Sequence, residues 1–222
     1  MPSALIFGAS RGLGRALVQE HLKRGWHVIA TVRDGSAFHD LASDSLTVEI
    51  LDTTDWVAVD ALRERLGSRP IDLLFVNAAI AGPSTMPIGE VAAADFIEMM
   101  LVNVLAPLRI ADRYADLVAA DGTIAVMSSS LGSIALNDNA GWEAYRTSKA
   151  ALDMGLRSIA GRRRDKRTWL AVDPGWVRTD MGGPNATLTI DQSIPSLADM
   201  LENRRGSGGV AFVNYKNDEH PW

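Results

Sequence analysis

The feature that most constrains this chain is an alternation running from end to end, in which short apolar runs are separated by longer stretches of helical periodicity. The runs fall at Ala4 to Phe7, His27 to Val32, Leu46 to Ile50, Ile71 to Val76, Thr123 to Met127, Trp169 to Val172 and Val210 to Val213. Most are apolar at successive positions, the pattern of strands covered on both faces, as in a parallel sheet whose crossovers are helices. Helical stretches at Gly12 to Arg24, Trp56 to Leu66, Ala92 to Ala120 with a break near Asn103, Ala144 to Arg164 and Ile190 to Arg204 supply those crossovers. Right-handed connections leave few topologies. The expected fold is α/β: a single domain over residues 1–222, with a doubly wound parallel sheet of seven strands and helices on both faces. Ligands are expected in the crevice beyond the carboxyl ends of the strands.

Composition narrows the function classes. Hydrophobic residues make up 47% of the chain and charged residues 22%, enough for a large core and a soluble surface. There is no cysteine, which excludes disulfides and thiolate metal ligands and agrees with a reducing compartment. No metal site is expected. The opening MPSALIFGAS has no basic leader and its apolar run is broken by glycine, so it reads as a buried strand and not as an export signal. No stretch has the length of a membrane span. The expected location is cytoplasmic, with no membrane partner. Net charge is -5, and the basic run Arg162 to Arg167 lies where a long helix should end, where positive charge complements the helix dipole. No nucleic-acid partner is expected, because a phosphate footprint needs basic residues spread over a face.

Two constellations carry chemistry. The first apolar run leads directly into Gly8-Ala9-Ser10-Arg11-Gly12-Leu13-Gly14 and then a helix. Glycines at such a corner let the backbone turn tightly and approach a pyrophosphate, whose charge meets free N–H groups and the positive end of the helix. Gly8, Ser10, Arg11, Gly12, Leu13 and Gly14 are therefore candidate cofactor residues, although G-x-x-x-G-x-G is looser than the usual dinucleotide fingerprint. The second constellation is Tyr145-x-x-x-Lys149, whose spacing puts both side chains on one helix face, one turn apart. A phenol ordinarily titrates at about 10. A neighbouring ammonium, together with an oxidised nicotinamide, would stabilise its phenolate and bring it into range for proton exchange.

Three further segments follow strand ends: Asn77-Ala78-Ala79, Ser128-Ser129-Ser130-Leu131-Gly132 and Asp173-Pro174-Gly175-Trp176-Val177-Arg178-Thr179. With the glycine loop and Tyr145-x-x-x-Lys149, in this order, the whole chain resembles the short-chain dehydrogenase/reductase family and its Rossmann fold. Among subgroups it is most similar to the short members allied to the C-factor signalling protein and to sniffer-type carbonyl reductases. The resemblance implies that Tyr145 exchanges a proton with the substrate oxygen, that Ser129 hydrogen-bonds that oxygen, and that Lys149 tunes Tyr145 and binds the nicotinamide ribose. Ser130 or Ser133 takes the place of Ser129 if the register differs, since the gap to Tyr145 carries a small insertion at Leu136 to Trp142. Asn103 matches the family asparagine whose helix distortion and water contact link the lysine to solvent; the alternative is a core asparagine satisfied by a neighbouring carbonyl.

The same resemblance assigns Asp52 to adenine, Asn77 and Ala78 to the ribose contact, and Pro174, Gly175, Val177 and Thr179 to the nicotinamide carboxamide. Asp52 reads equally as a turn or cap residue beside Thr54 and Asp55. Val76 and Ala79 depart from the family's N-N-A-G. Val32 stands where NAD-binding relatives carry an acid, and Arg11 and Arg33 can hold a 2'-phosphate through charge-assisted forks, so NADP is the expected cofactor. A two-position shift would make Asp34 the ribose ligand and restore NAD.

The expected activity is hydride transfer between NADP and a small carbonyl or alcohol substrate, with a pocket lined by Leu131, Ile134, Trp142, Trp176 and Met181. The alternative is an NADP-binding signalling or redox-sensing protein with little turnover. A sugar-nucleotide epimerase is disfavoured, for the chain lacks a sizeable C-terminal substrate domain. Small apolar residues in Ala92 to Ala120 and Ala144 to Arg164 point to a homodimer or homotetramer.

Overall fold

The computed structural model describes residues 1–41 and 43–222. Its strands β1 (Ser3–Phe7), β2 (His27–Val32), β3 (Leu46–Ile50), β4 (Ile71–Val76), β5 (Val118–Met127), β6 (Thr168–Asp173) and β7 (Gly209–Asn214) form one sheet in the order β3-β2-β1-β4-β5-β6-β7. Every pairing is parallel. The winding reverses between β1 and β4, which opens a crevice at their carboxyl ends. The expected seven-stranded doubly wound sheet is present.

Residues two apart share a face of a strand, so each apolar run feeds two cores. Leu5, Phe7, Leu74, Val76, Ile124, Val126, Trp169 and Phe212 pack on one side of the sheet. That side is covered by α2 (Trp56–Leu66), α4 (Ala106–Tyr114) and α5 (Glu143–Arg163). Ala4, Ile6, Val28, Ala30, Leu73, Phe75, Ala125 and Leu170 pack on the other, beneath α1 (Gly12–Lys23) and α6 (Ile190–Arg204). Local chemistry starts several helices. Asp55 accepts from Val57 N and Ala58 N to begin α2, and Thr189 with Gln192 forms a capping box on α6.

The long helical stretch is interrupted near Asn103 as expected, but departs from expectation at its end. After α3 (Ala93–Met100) the helix widens into a π-turn over Leu101–Leu105, where Ala106 N–H bonds Leu101 O, five residues back. Pro107 has no N–H to give the carbonyl of Asn103, four residues earlier, so a regular α-helix cannot satisfy that oxygen. Helix also does not reach Ala120. It ends in a 3-10 turn at Ala115–Leu117, and Val118 opens β5 by pairing with Ile71. The register then shifts, and regular pairing resumes at Leu73 and Thr123. Alanines favour helix locally, but here pairing along β4 prevails.

His21 is fully buried in α1, with Nδ1 2.8 Å from Leu17 O, its ring edge-on to Trp26 and Nε2 without a partner among the described residues. Burial pulls its pKa below the ordinary 6.5. The unfolded chain therefore takes up a proton below 6.5 that the folded chain refuses, so stability from this group is present above that value and lost as pH falls through it. His21→Leu is expected to show a smaller loss of stability than wild type between about pH 7 and pH 5. Urea denaturation of both proteins at each pH checks this; parallel curves would refute it.

Candidate active site

The glycine loop turns from β1 into α1 at the winding reversal. Gly8 has φ +77°, and a Cβ there would lie 2.6 Å from Ala78 N. A Cβ on Gly14 would meet Gly8 O and come within 2.5 Å of Asn77 Nδ2, which itself donates to Gly8 O at 2.8 Å. The Asn77 side chain thus bolts the glycine loop to the end of β4. Gly12, at φ +55°, lies against Thr179. Leu13 packs into the core beneath α1. Ala79 keeps φ out of the left-handed region, so its methyl needs no glycine.

Arg11 follows β1, Arg33 follows β2 and Asp52 follows β3. Arg33 N donates to Ser10 Oγ at 3.4 Å, and the Arg33 charge helps hold Asp52 below the usual carboxylate range. The larger cause there is Thr54, whose hydroxyl and N–H donate to Asp52 Oδ1 at 2.6 and 2.8 Å. Asp34 caps Ser36 through both carboxylate oxygens instead of pairing with Arg33. Arg11 reaches across to Asp180 at 2.6 Å, so the loop after β6 closes on the glycine loop.

Tyr145 and Lys149 are both buried on one face of α5. The ammonium of Lys149 donates to Met127 O at 2.8 Å, at the end of β5, and lies 5.5 Å from the Tyr145 ring centroid. Ser129 begins the 3-10 turn Ser130–Gly132, its Oγ accepting from Leu131 N at 3.2 Å. That turn rests on α5, because a Cβ on Gly132 would stand 3.0 Å from Lys149 Cβ. Ser130 is half-buried; Ser133, one residue past the turn, spends its hydroxyl on Pro221 O at 2.6 Å. Asn103 is fully buried, bonding Ile80 N and O at 2.8 and 2.9 Å and Ser148 Oγ at 3.1 Å. Its side chain ties the β4 loop to α5, which leaves its backbone carbonyl for other partners.

The expected acidification of Tyr145 is not a property of the folded chain by itself. Burial pushes the phenol above its ordinary range, and the carboxylates of Asp173 and Asp153 push the same way. Burial also lowers Lys149 to about 8, against the pull of Asp153.

Beyond β6, Asp173 accepts from Gly175 N at 3.1 Å and pairs with His220 Nε2 at 2.9 Å. Pro174 O is held by Ser193 Oγ at 2.7 Å. Val177 is buried and bridges to Leu188, and Thr179 Oγ1 accepts from Gly182 N at 3.0 Å. The expected pocket residues do not assemble as one lining. Leu131 and Trp142 pack with Tyr145, Trp142 edge-on at 5.8 Å. Ile134 is three-quarters exposed and shares with Leu131 the lining of a cavity of about 450 Å³ that includes neither Trp142, Trp176 nor Met181. Trp176 and Met181 stand exposed on the loop after β6. Two charged residues belong to no motif named above: Asp180, opposite Arg11, and Asp153, buried one turn beyond Lys149. The i+4 spacing from Lys149 to Asp153 is the sequence signal for the second.

The family model described as short chain dehydrogenase matches residues 2–187. The chain belongs to that family. Among solved structures, a short-chain dehydrogenase/reductase from Burkholderia multivorans with bound NADP is 44% identical, covering 100% of this chain and 99% of its own, with TM-score 0.96. The carbonyl reductase Sniffer of D. melanogaster is 30% identical, covering 100% of both chains, with TM-score 0.90. C-signal of Myxococcus xanthus is 35% identical over 69% of this short-chain dehydrogenase and 93% of C-signal. The resemblance to C-factor and sniffer-type members is borne out.

Proposed function

We propose that this short-chain dehydrogenase is an NADP-dependent reductase of small carbonyl compounds, with Tyr145 as general acid and base. The observation that carries the reading is the stacking of Tyr145, Lys149 and the Ser129 turn on the end of β5, beside a glycine corner too tight for a Cβ at Gly8 or Gly14. The cradle formed by Gly8, Gly12, Gly14 and Ala78 suits a pyrophosphate, with Ser10, Arg11 and Arg33 placed for a 2'-phosphate and Asp52 for the adenine end. Bound NADPH supplies the hydride. Ser129 holds the carbonyl oxygen by hydrogen bond, Tyr145 delivers the proton to that oxygen, and Lys149 stabilises the phenolate left behind. Asn103 keeps α5 seated through Ser148, and Pro174, Gly175, Val177 and Thr179 frame the carboxamide end. The NADP complex of the Burkholderia relative supports the cofactor and Sniffer supports the reaction class.

Arg33→Ala is expected to weaken NADPH binding about 10- to 100-fold, since a hydrogen bond to a charged group contributes roughly 1.5–3 kcal/mol, and to leave NADH binding nearly unchanged. Titration of both coenzymes checks this; equal losses would remove Arg33 from the phosphate site. Steady NADPH oxidation with members of a carbonyl panel tests the activity itself. The likeness to C-signal favours a second reading, a signalling protein that binds NADP and turns over little; tight NADPH binding with no conversion of the panel would select it. The same reading includes a cytoplasmic homodimer or homotetramer. The exposed Ile97, Leu105 and Met154 on the α3–α5 side support pairing of copies, which light scattering would test.

A further inference from the structure

Asp153 is 4% exposed, and neither of its carboxyl oxygens has a hydrogen-bond partner among the described residues. The nearby Ser128 Oγ is equally buried and unpartnered. A Cβ on Gly132 would lie 2.6 Å from Asp153 Oδ2, so the absent side chain of Gly132 is what leaves room for the carboxyl under the Ser129 turn. A buried carboxylate without partners is far costlier than a buried carboxylic acid. The groups that face it are few: Lys149 on its own helix, Asp173 at the end of β6 and His220 on the tail after β7. Arg157, one turn further along α5, stacks on the Trp222 ring at 5.2 Å.

We propose that Asp153 is a positioning residue that titrates together with Lys149, neutral beneath the Ser129 turn at low pH and, once ionised, holding Lys149 as ammonium behind Tyr145. Its consequence for turnover rests on the reductase reading; its chemistry does not. Burial raises the Asp153 carboxyl to about 7, opposed by Ser128, which lies close by but outside hydrogen-bond geometry, and by Lys149; burial lowers Lys149 to about 8 against the pull of Asp153. The two groups therefore exchange charge over one narrow pH interval. Below it the site holds acid and ammonium; within it carboxylate and ammonium support each other; above it Lys149 gives up its proton, at a higher pH than it would alone.

Asp153→Asn keeps the shape and removes the titration. Its kcat/KM is expected to equal wild type at about pH 6, where the native carboxyl is already neutral, and to fall to roughly a tenth of wild type by about pH 9, because without the Asp153 charge Lys149 loses its proton at lower pH. Loss of the same size at every pH, or no loss at all, would show a merely structural group and overturn the proposal. Infrared difference spectroscopy on the cofactor-free protein supplies a readout independent of turnover. A protonated-carboxyl band should disappear with a midpoint near 7 in wild type, and its midpoint should rise in Lys149→Met. A band absent from wild type, or a midpoint that ignores Lys149→Met, refutes the coupling even if Asp153→Asn does not fold. A band that behaves as expected in a protein inactive on every carbonyl would instead count against the reductase reading alone.

Discussion

Tyr145→Phe is expected to lower kcat/KM for carbonyl reduction by roughly 10²- to 10⁴-fold, the usual contribution of a positioned acid–base group. NADPH affinity and folding stability should stay close to wild type. The ring remains to pack edge-on against Trp142 and beside Met99 and Ala144, so the cluster around it keeps its volume. Activity and stability are thereby separated, which a truncation to alanine would not achieve. Stopped-flow reduction of a carbonyl substrate, together with thermal denaturation of both proteins, checks the expectation. Retained turnover would mean that another group moves the proton.

Gly14→Ala should be far more damaging in the cofactor loop than the same methyl added at Gly12. The new Cβ would collide with Gly8 O and lie 2.5 Å from Asn77 Nδ2, the atom that fastens the loop to β4. Gly8 O is backbone and cannot yield without moving the loop, and Asn77 can yield only by giving up its bond to that oxygen. Overpacking of this kind costs about 1–3 kcal/mol, and loss of the loop geometry should weaken NADPH binding roughly tenfold or more, each tenfold being about 1.4 kcal/mol. Gly12→Ala is the control. Its nearest neighbour, Thr179 Cγ2, would lie 3.8 Å away, so only the φ +55° backbone is penalised, by about 1–2 kcal/mol. Calorimetric titration of NADPH should rank Gly14→Ala well below Gly12→Ala. The reverse order would show that backbone conformation outweighs contact in this loop.

Much of the molecule is legible in one dimension, because hydrophobic periodicity is local. The ends of β2, β3 and β4 and of α2 and α6 coincide with the apolar runs and helical patterns, since strand and helix periods are set by backbone geometry. The i, i+4 spacing likewise puts Tyr145 and Lys149 on one helix face whatever packs around that helix. What sequence alone did not determine depended on partners distant along the chain. Val118 to Ala120 look helical but belong to β5, which pairs with β4. Asn103 does mark an interrupted helix, as the sequence suggests, but the partners that take up its side chain, Ile80 and Ser148, lie 23 and 45 residues away. The neighbouring Lys149 implies an acidic Tyr145, yet burial and the carboxylates of Asp173 and Asp153 pull the other way. Periodicity follows from the residues themselves, but desolvation and charge pairing belong to the environment, and only the closed tertiary structure supplies one.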